Sequence, residues 1–223
     1  MDTELPNTTQ QGTRTRLLQT SLATFAHRDF EAVSIREIVE QAGANIAAIS
    51  YHFGGKQGLY LATAEYLADT LHKELGPMLE QIRAGAETAD PETAGRRLDE
   101  MIQRLVHQLT MDHLGDYAAG FILREQHQPT AAFDILFKRL MLPIQKTFQL
   151  LVSRILGDTA PDERRMILVT HALIGQILAF RTARTTVLRR LGQTEFSNQD
   201  ALEIAHTISG LTLNSLHARN TPS

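Results

Sequence analysis

Tyr51 and His52 stand side by side near the end of a short apolar segment, with Ala47 and Ala48 four residues before them. On a helix these four share one side. A phenol and an imidazole can donate or accept hydrogen bonds, while two methyl groups let a helix sink deep into a groove. That combination suits the major groove of DNA, where the longer side chains reach base edges or phosphates. Lys56, just beyond, and Arg36, before them, supply cations for phosphate contacts. The chemistry indicated is recognition of a duplex, with no bond made or broken.

Two short helices and a tight turn are needed to hold these residues. Ser34 opens the first: its hydroxyl accepts an early backbone N–H, and the Glu37 carboxylate is expected to reach back to the Ser34 amide. Ile35, Ile38, Val39 and Ala42 recur at helical spacing and leave Arg36, Glu37, Glu40 and Gln41 towards water. Gly43 can take the left-handed conformation that ends the helix and reverses the chain. In the second helix Ile46, Ile49 and Phe53 define an inner seam opposite Ala47, Ala48, Tyr51 and His52. The competing reading is that Tyr51, His52 and Phe53 merely cap a core. The joint spacing of capped helix, glycine turn, small outer face and lysine favours the reader.

At 223 residues and 43 % hydrophobic the chain can bury a substantial core. It has no cysteine, so disulfides and thiolate sites are excluded, which fits a reducing cytoplasm. The first ten residues are acidic and polar, unlike an export signal, and Arg139, Lys146 and Arg154 interrupt the most apolar region, so no membrane span is expected. A formal net charge of −3 gives no basic footprint. Even residues 1–56 carry five basic side chains (Arg14, Arg16, Arg28, Arg36, Lys56) against six acidic ones (Asp2, Glu4, Asp29, Glu31, Glu37, Glu40). Positive charge must be placed rather than massed, with Arg14 and Arg16 before a first helix, Arg36 in the second and Lys56 opening the fourth.

Hydrophobic spacing predicts only helices: 13–27, then the reader, then a fourth helix from Lys56 to a stop at Gly76-Pro77. Residues 84–95 read as a loop in which Asp90 caps a helix starting at Pro91 and running to about residue 109. A turn at 111–116, a short helix at 116–126 and a long helix at 129–156, kinked at Pro143, follow. Two helices, 161–191 and 197–217, complete the chain. The first carries a small-residue ridge of Ala172, Gly175, Ala179 and Ala183, and the last presents Ile204, Ile208, Leu211 and Leu216. These faces either close the core or meet a partner.

The spacing of Ser34, Gly43, Tyr51-His52-Phe53 and Lys56 resembles the helix-turn-helix of TetR-family transcriptional regulators. Asn45-Ile46-Ala47-Ala48-Ile49, Arg124-Glu125-Gln126, Pro129-Thr130-Ala131-Ala132 and the run from His171 to Arg181 are similar to the YbiH/CecR-like branch of that family. The resemblance implies an all-α fold with a DNA-binding domain at 1–56 and a helical ligand-binding and dimerisation domain at 57–223. It implies an operator duplex bound through Ser34, Arg36, Asn45, Ala47, Ala48, Tyr51, His52 and Lys56, and a homodimer built on the two C-terminal helices. It further implies a small-molecule effector that lowers DNA affinity, as in a repressor. Polar residues on apolar segments, Arg124, His171, Gln176 and Arg181, with Phe121 as a wall, are the candidates to meet it. Each has a structural alternative: a satisfied core polar group or an internal ion pair. Two positions depart from the common pattern, Ile46 where many members have lysine and Ser50 where many have tyrosine. Ser50 falls near the inner seam, so base reading is expected to rest on Ala47, Ala48, Tyr51 and His52.

Catalytic signatures fail on inspection. Gly54-Gly55-Lys56 lacks the earlier glycine of a phosphate loop, since position 50 is serine. The histidines form no H-E-x-x-H, and no G-x-S-x-G frames a nucleophile. No enzyme, metal or cofactor is expected. The rival reading outside gene regulation is a helical protein-interaction module without DNA binding.

Overall fold

The computed structural model describes residues 8–111 and 114–220, and every regular element in them is helical. In order they are α1 (Thr8–His27), α2 (Ile35–Gln41), α3 (Ile46–Phe53), α4 (Lys56–Ala86), α5 (Pro91–Met111), α6 (Leu114–His127), α7 (Ala131–Leu136), α8 (Leu142–Leu156), α9 (Glu163–Thr182), α10 (Arg184–Leu191) and α11 (Asn198–Asn220). A π turn, Phe137–Met141, joins α7 to α8, and a 3-10 turn, Gly157–Thr159, follows α8. The expected all-α class holds. The turn expected at 111–116 falls partly on residues 112 and 113, outside the described residues, as do the first seven residues of the polar N-terminal stretch.

Four helix boundaries differ from expectation. Pro77 does not stop α4, which runs on to Ala86, so the expected loop at 84–95 shrinks to four residues. Pro77 lies on the exposed side, while Leu75, Met78, Leu79 and Ile82 are buried. An interior proline costs about 3 kcal/mol, and burying each such apolar side chain returns about 1.5–3 kcal/mol, so the buried stripe wins. The interruption expected at Pro143 lies just upstream, in the π turn. Pro143 itself sits in the first turn of α8, where its missing N–H costs nothing. The helix expected over 161–191 breaks at Ala183 into α9 and α10, bent by 64°. Finally, α1 begins at Thr8, so Arg14 and Arg16 lie within it rather than before it.

The described chain forms two compact units. One runs to His72 and takes in Asp116–Leu140; the other comprises Lys73–Gly115 and the chain from Met141. Packing thus joins the start of α4, α6 and α7 to the unit that holds α1–α3. Its core is Leu17, Leu18, Leu22 and Phe25 of α1, Ile38 of α2, Ile49 of α3, Leu59, Ala64 and Leu67 of α4 and Phe121 of α6. Phe25, Phe30 and Phe121 surround the Tyr60 ring at centroid distances of 4.9–5.1 Å. Such aromatic pairs contribute about 0.5–1.5 kcal/mol each beyond burial.

The second unit is a bundle in which α5 packs against α11 and α8. Leu98, Met101 and Ile102 meet a core that includes Phe148, Leu151, Val152 and Ile155 of α8 and Ala205 and Ile208 of α11. Ser209 donates to Asp99 across α11 and α5. Asp90 caps α5 as expected, accepting from the Thr93 amide at 2.7 Å. That bond, then the Thr93 hydroxyl, holds its carboxyl below the ordinary value.

Of the two readings left open for the last helix, closing the core or meeting a partner, Ile204, Ile208 and Leu216 take the first, buried within this unit, and only Leu211 of that set is exposed. On the ridge of α9, Ala172, Gly175 and Ala179 are exposed, beside Leu168 at 57 % and Leu178, while Ala183, the fourth member, lies at the break that ends the helix. Among the described residues no single helix is long and apolar enough to cross a membrane.

Candidate nucleic-acid interface

Each turn that aims α3 is closed by local chemistry. Ser34 caps α2, its Oγ accepting from the Arg36 amide at 3.2 Å. The expected return bond from Glu37 is absent because Glu37 is taken by Arg28, whose Nη1 donates to both carboxylate oxygens at 2.5 and 2.6 Å. A charge-assisted bond outcompetes a neutral amide for that acceptor. At the other end of α2, Gly43 has φ 59°, its amide bonds the Glu40 carbonyl, and the Ala44 amide reaches the Val39 carbonyl at 2.8 Å. These are the paired bonds of a Schellman stop, as the glycine predicted. Arg16 adds a long-range clamp, donating from Nε to the Ala42 carbonyl at 3.1 Å. It serves the turn rather than a phosphate.

Asn45 caps α3, its Oδ1 accepting from the Ala48 amide at 2.8 Å, and Gly54 at φ 71° ends the helix. Ile49 is fully buried and anchors it. The side turned away from the core carries Ala47, Ser50 and Tyr51, the last 74 % exposed. Ala48 and His52 are half-buried on its flank, with the His52 ring 4.9 Å from that of Tyr51.

Two expectations change here. Ile46 is not part of the inner seam but 49 % exposed, and Ser50 is outward rather than seamward. The reason is rotational. Ile49 points straight into the core; Ser50, about 100° from it, turns away, Ile46, about 60° from it, is the first residue of α3 and only half covered, and Phe53, about 40° from it, continues the seam. Ser50 is the outward residue that spacing missed; counting from Ile49 instead of from Ile46 would have found it.

Cations are placed around this face. Arg36 is exposed in the first turn of α2, and exposed Arg14 lies 5.5 Å from the Phe53 ring centroid. Lys56 rests over the Phe30 ring at 4.4 Å, and its Nζ donates to the Glu31 carbonyl at 3.4 Å. Two of the nearby acids are neutralised, Glu37 by Arg28 and Asp29 by Arg124. Arg28 is already counted within 1–56, but Arg124 comes from outside it and offsets the net −1 of that stretch.

The five residues considered for an effector fall in different units. Phe121 is buried beside Tyr60. Arg124 reaches from α6 to the end of α1, where Nε donates to the Phe25 carbonyl at 3.1 Å and Nη1 pairs with Asp29. It also lines a groove of about 360 Å³ with Gly120, Leu123 and His127. In the other unit, Arg181 donates to the Leu109 carbonyl at 3.3 Å, and His171 and Gln176 are exposed on α9.

Sequence and structure comparisons agree with this geometry. Residues 17–63 match the family described as bacterial regulatory proteins, tetR family, and residues 94–219 match the C-terminal domain of the HTH-type transcriptional dual regulator CecR. The HTH-type transcriptional dual regulator CecR of Shigella flexneri is 38 % identical over 198 residues, which cover 87 % of this chain and 86 % of that protein. Among solved structures, AibR in complex with isovaleryl coenzyme A and operator DNA superposes with a TM-score of 0.64 at 14 % identity, covering 89 % of this chain and 97 % of AibR. FadR of Bacillus subtilis in complex with stearoyl-CoA gives 0.59 at 14 % identity, covering 89 % of this chain and 97 % of FadR. At that identity the two structures speak to the fold alone.

Proposed function

The chain belongs to the TetR family of transcriptional regulators, in its CecR-like branch, and from that premise we propose that residues 1–56 contact operator DNA while residues 57–223 bind an effector and hold a homodimer. The observation that carries the first half is the outward side of α3, capped at both ends, anchored by Ile49 and presenting Tyr51 to solvent. Ser34, Asn45 and the α3 amides sit at helix starts suited to phosphates, and Arg36, Lys56 and His52 supply donors. The action is repression in the cytoplasm, relieved when a small molecule binds.

Dimerisation is supported by the exposed stripe of Leu168, Ala172, Gly175 and Ala179 on α9, with Leu211, 64 % exposed, on α11. Small residues in register allow close helix approach. His171 and Gln176 share that side of α9 and are assigned to the same surface. The test is selection of bound duplexes from a random pool, followed by footprinting. A two-fold protein protects two related half-sites about one helical turn, ~34 Å, apart. A monomer, or a footprint without repeated half-sites, refutes the proposal. Tyr51→Ala should cost about 1–3 kcal/mol of specific binding with the fold intact. Lys56→Ala should instead lower affinity for all sequences alike and reduce the salt slope by about one unit per site.

Effector coupling is proposed to pass through α6, because Arg124 ties it to the last turn of α1. A ligand shifts DNA affinity only by binding the two states unequally, and the effect is reciprocal. AibR was crystallised with both a coenzyme A thioester and operator DNA, which supports a comparable pair of ligands here. For a releasing compound found by screening, operator DNA should weaken its binding by the same ~5- to 150-fold factor by which it weakens operator binding. Arg124→Ala should shrink that factor before it lowers DNA affinity. Calorimetric titration into free and operator-bound protein measures it, and equal affinities would end this part of the proposal.

A further inference from the structure

The outward side of α3 has an unusual composition for a DNA reader. From Ile46 to Phe53 the helix contains no Arg, Lys, Asn, Gln, Asp or Glu. Arginine or lysine reads guanine through O6 and N7, asparagine or glutamine reads adenine, and a carboxylate accepts from cytosine. None of these is offered by the helix. Asn45, at its start, has committed Oδ1 to the Ala48 amide, which removes the acceptor half of a bidentate contact to adenine. What faces outward is two hydroxyls, on Ser50 and Tyr51, and two apolar side chains, Ile46 and Ala47.

Hydroxyls donate or accept and so discriminate weakly. The apolar pair discriminates for one base alone, because only thymine carries a methyl group in the major groove. Ile46 is β-branched at the first position of the helix and half exposed, so it contributes little to the core. A single exposed isoleucine has no special meaning. Here it continues into Ala47 at the N-terminal end of the helix, the end whose side chains meet base edges in helix-turn-helix docking. We infer that Ile46 and Ala47 read thymine through its C5-methyl group, making at least one T·A pair per half-site a determinant of the operator.

This rests on α3 being the DNA-reading helix, so the experiment separates the two. The full chain is bound first to the duplex obtained by selection and to a scrambled duplex. Each thymine of the selected duplex is then replaced singly by deoxyuridine, which lacks only the methyl group. One or two replacements per half-site should weaken binding about four-fold each, the factor for one buried methyl, and the rest should be neutral. Ile46→Ala should lower affinity for the thymine duplex and abolish the response at its own position. Its side chain is exposed, and the deoxyuridine arm leaves the protein untouched. If every deoxyuridine duplex binds like the parent while the selected duplex still outcompetes the scrambled one, the methyl readout is wrong and the DNA-reading assignment stands. A methyl effect unchanged by both Ile46→Ala and Ala47→Gly overturns the assignment to these residues. No preference over the scrambled duplex overturns both.

Discussion

Gly58→Ala is expected to lose specific DNA binding by at least an order of magnitude and to lower the thermal midpoint. Gly58 lies in the first turn of α4, where an added Cβ would stand 1.8 Å from the Phe53 carbonyl oxygen and 2.9 Å from its carbon. Both are backbone atoms at the end of α3, so no rotamer change relieves the clash. The turn between them, Gly54 at φ 71° and Gly55 at φ 128°, is the pliable element. It can yield only by moving the end of α3, the helix that carries Tyr51. Alanine gains about 1 kcal/mol of helix propensity over glycine, but forced overpacking costs about 1–3 kcal/mol or more, and the contact here is far inside van der Waals distance. Gly12→Ala in α1 is the control. Among the described residues its Cβ would meet only Arg16 Nη1, at 3.7 Å, so propensity should prevail and stability rise by up to about 1 kcal/mol. Thermal unfolding and operator titration of both variants decide the matter, and a Gly58→Ala protein that binds like its parent would show that the turn is not clamped.

Glu125→Ala should be the most destabilising single substitution in the unit that holds α1–α3. The Glu125 side chain is 0 % exposed and accepts from three donors. The Tyr60 hydroxyl reaches Oε1 at 2.6 Å, the Thr130 amide reaches Oε2 at 3.0 Å, and the Thr130 hydroxyl lies within 3.1 Å of both oxygens. Thr130 is also the cap of α7, its Oγ1 accepting from the Ala132 amide. One carboxylate therefore ties α4, α6 and the start of α7 together. Removing it orphans the buried Tyr60 hydroxyl and the two part-buried Thr130 donors at about 1–3 kcal/mol each, the lower end applying to Thr130, for about 3–5 kcal/mol in all. At about 2–4 °C per kcal/mol for a chain of this size, the midpoint should fall by about 6–20 °C. Tyr60→Phe removes one donor and leaves Glu125 two others, so it should cost less. Burial, and then the bond to Glu125, push the Tyr60 hydroxyl well above its ordinary value of 10.0. A raised value means that the contribution is complete below pH 10 and lost as pH climbs through the folded value. The parent should therefore lose stability at strongly alkaline pH in a way that Tyr60→Phe does not. Equal midpoints for Glu125→Ala and the parent would remove this network from the description.

The sequence alone determined what depends on neighbours along the chain. The helical class, the Ser34 and Asp90 caps and the Gly43 stop follow from side chains bonding amides a few residues away, or from a conformation open to glycine. The outward Ala47 and Tyr51 follow from helical spacing around one buried isoleucine. The tertiary structure decided what depends on rotation, competition and close approach between distant segments. Rotation of α3 about Ile49 turned Ser50 outward, and its place at the start of the helix left Ile46 half exposed. Competition gave Glu37 to Arg28 instead of the Ser34 amide, and Arg16 to the Ala42 carbonyl instead of a phosphate. Burial of the α4 stripe carried the helix through Pro77, and packing against α5 and α8 decided that Ile204 and Ile208 close the core. Close approach fixed Gly58 against Phe53 and Glu125 under Tyr60, which lie 65 residues apart. Local bonds are written in local spacing, but an acceptor or a cavity is shared among every group that can reach it, and only the folded arrangement settles which group does.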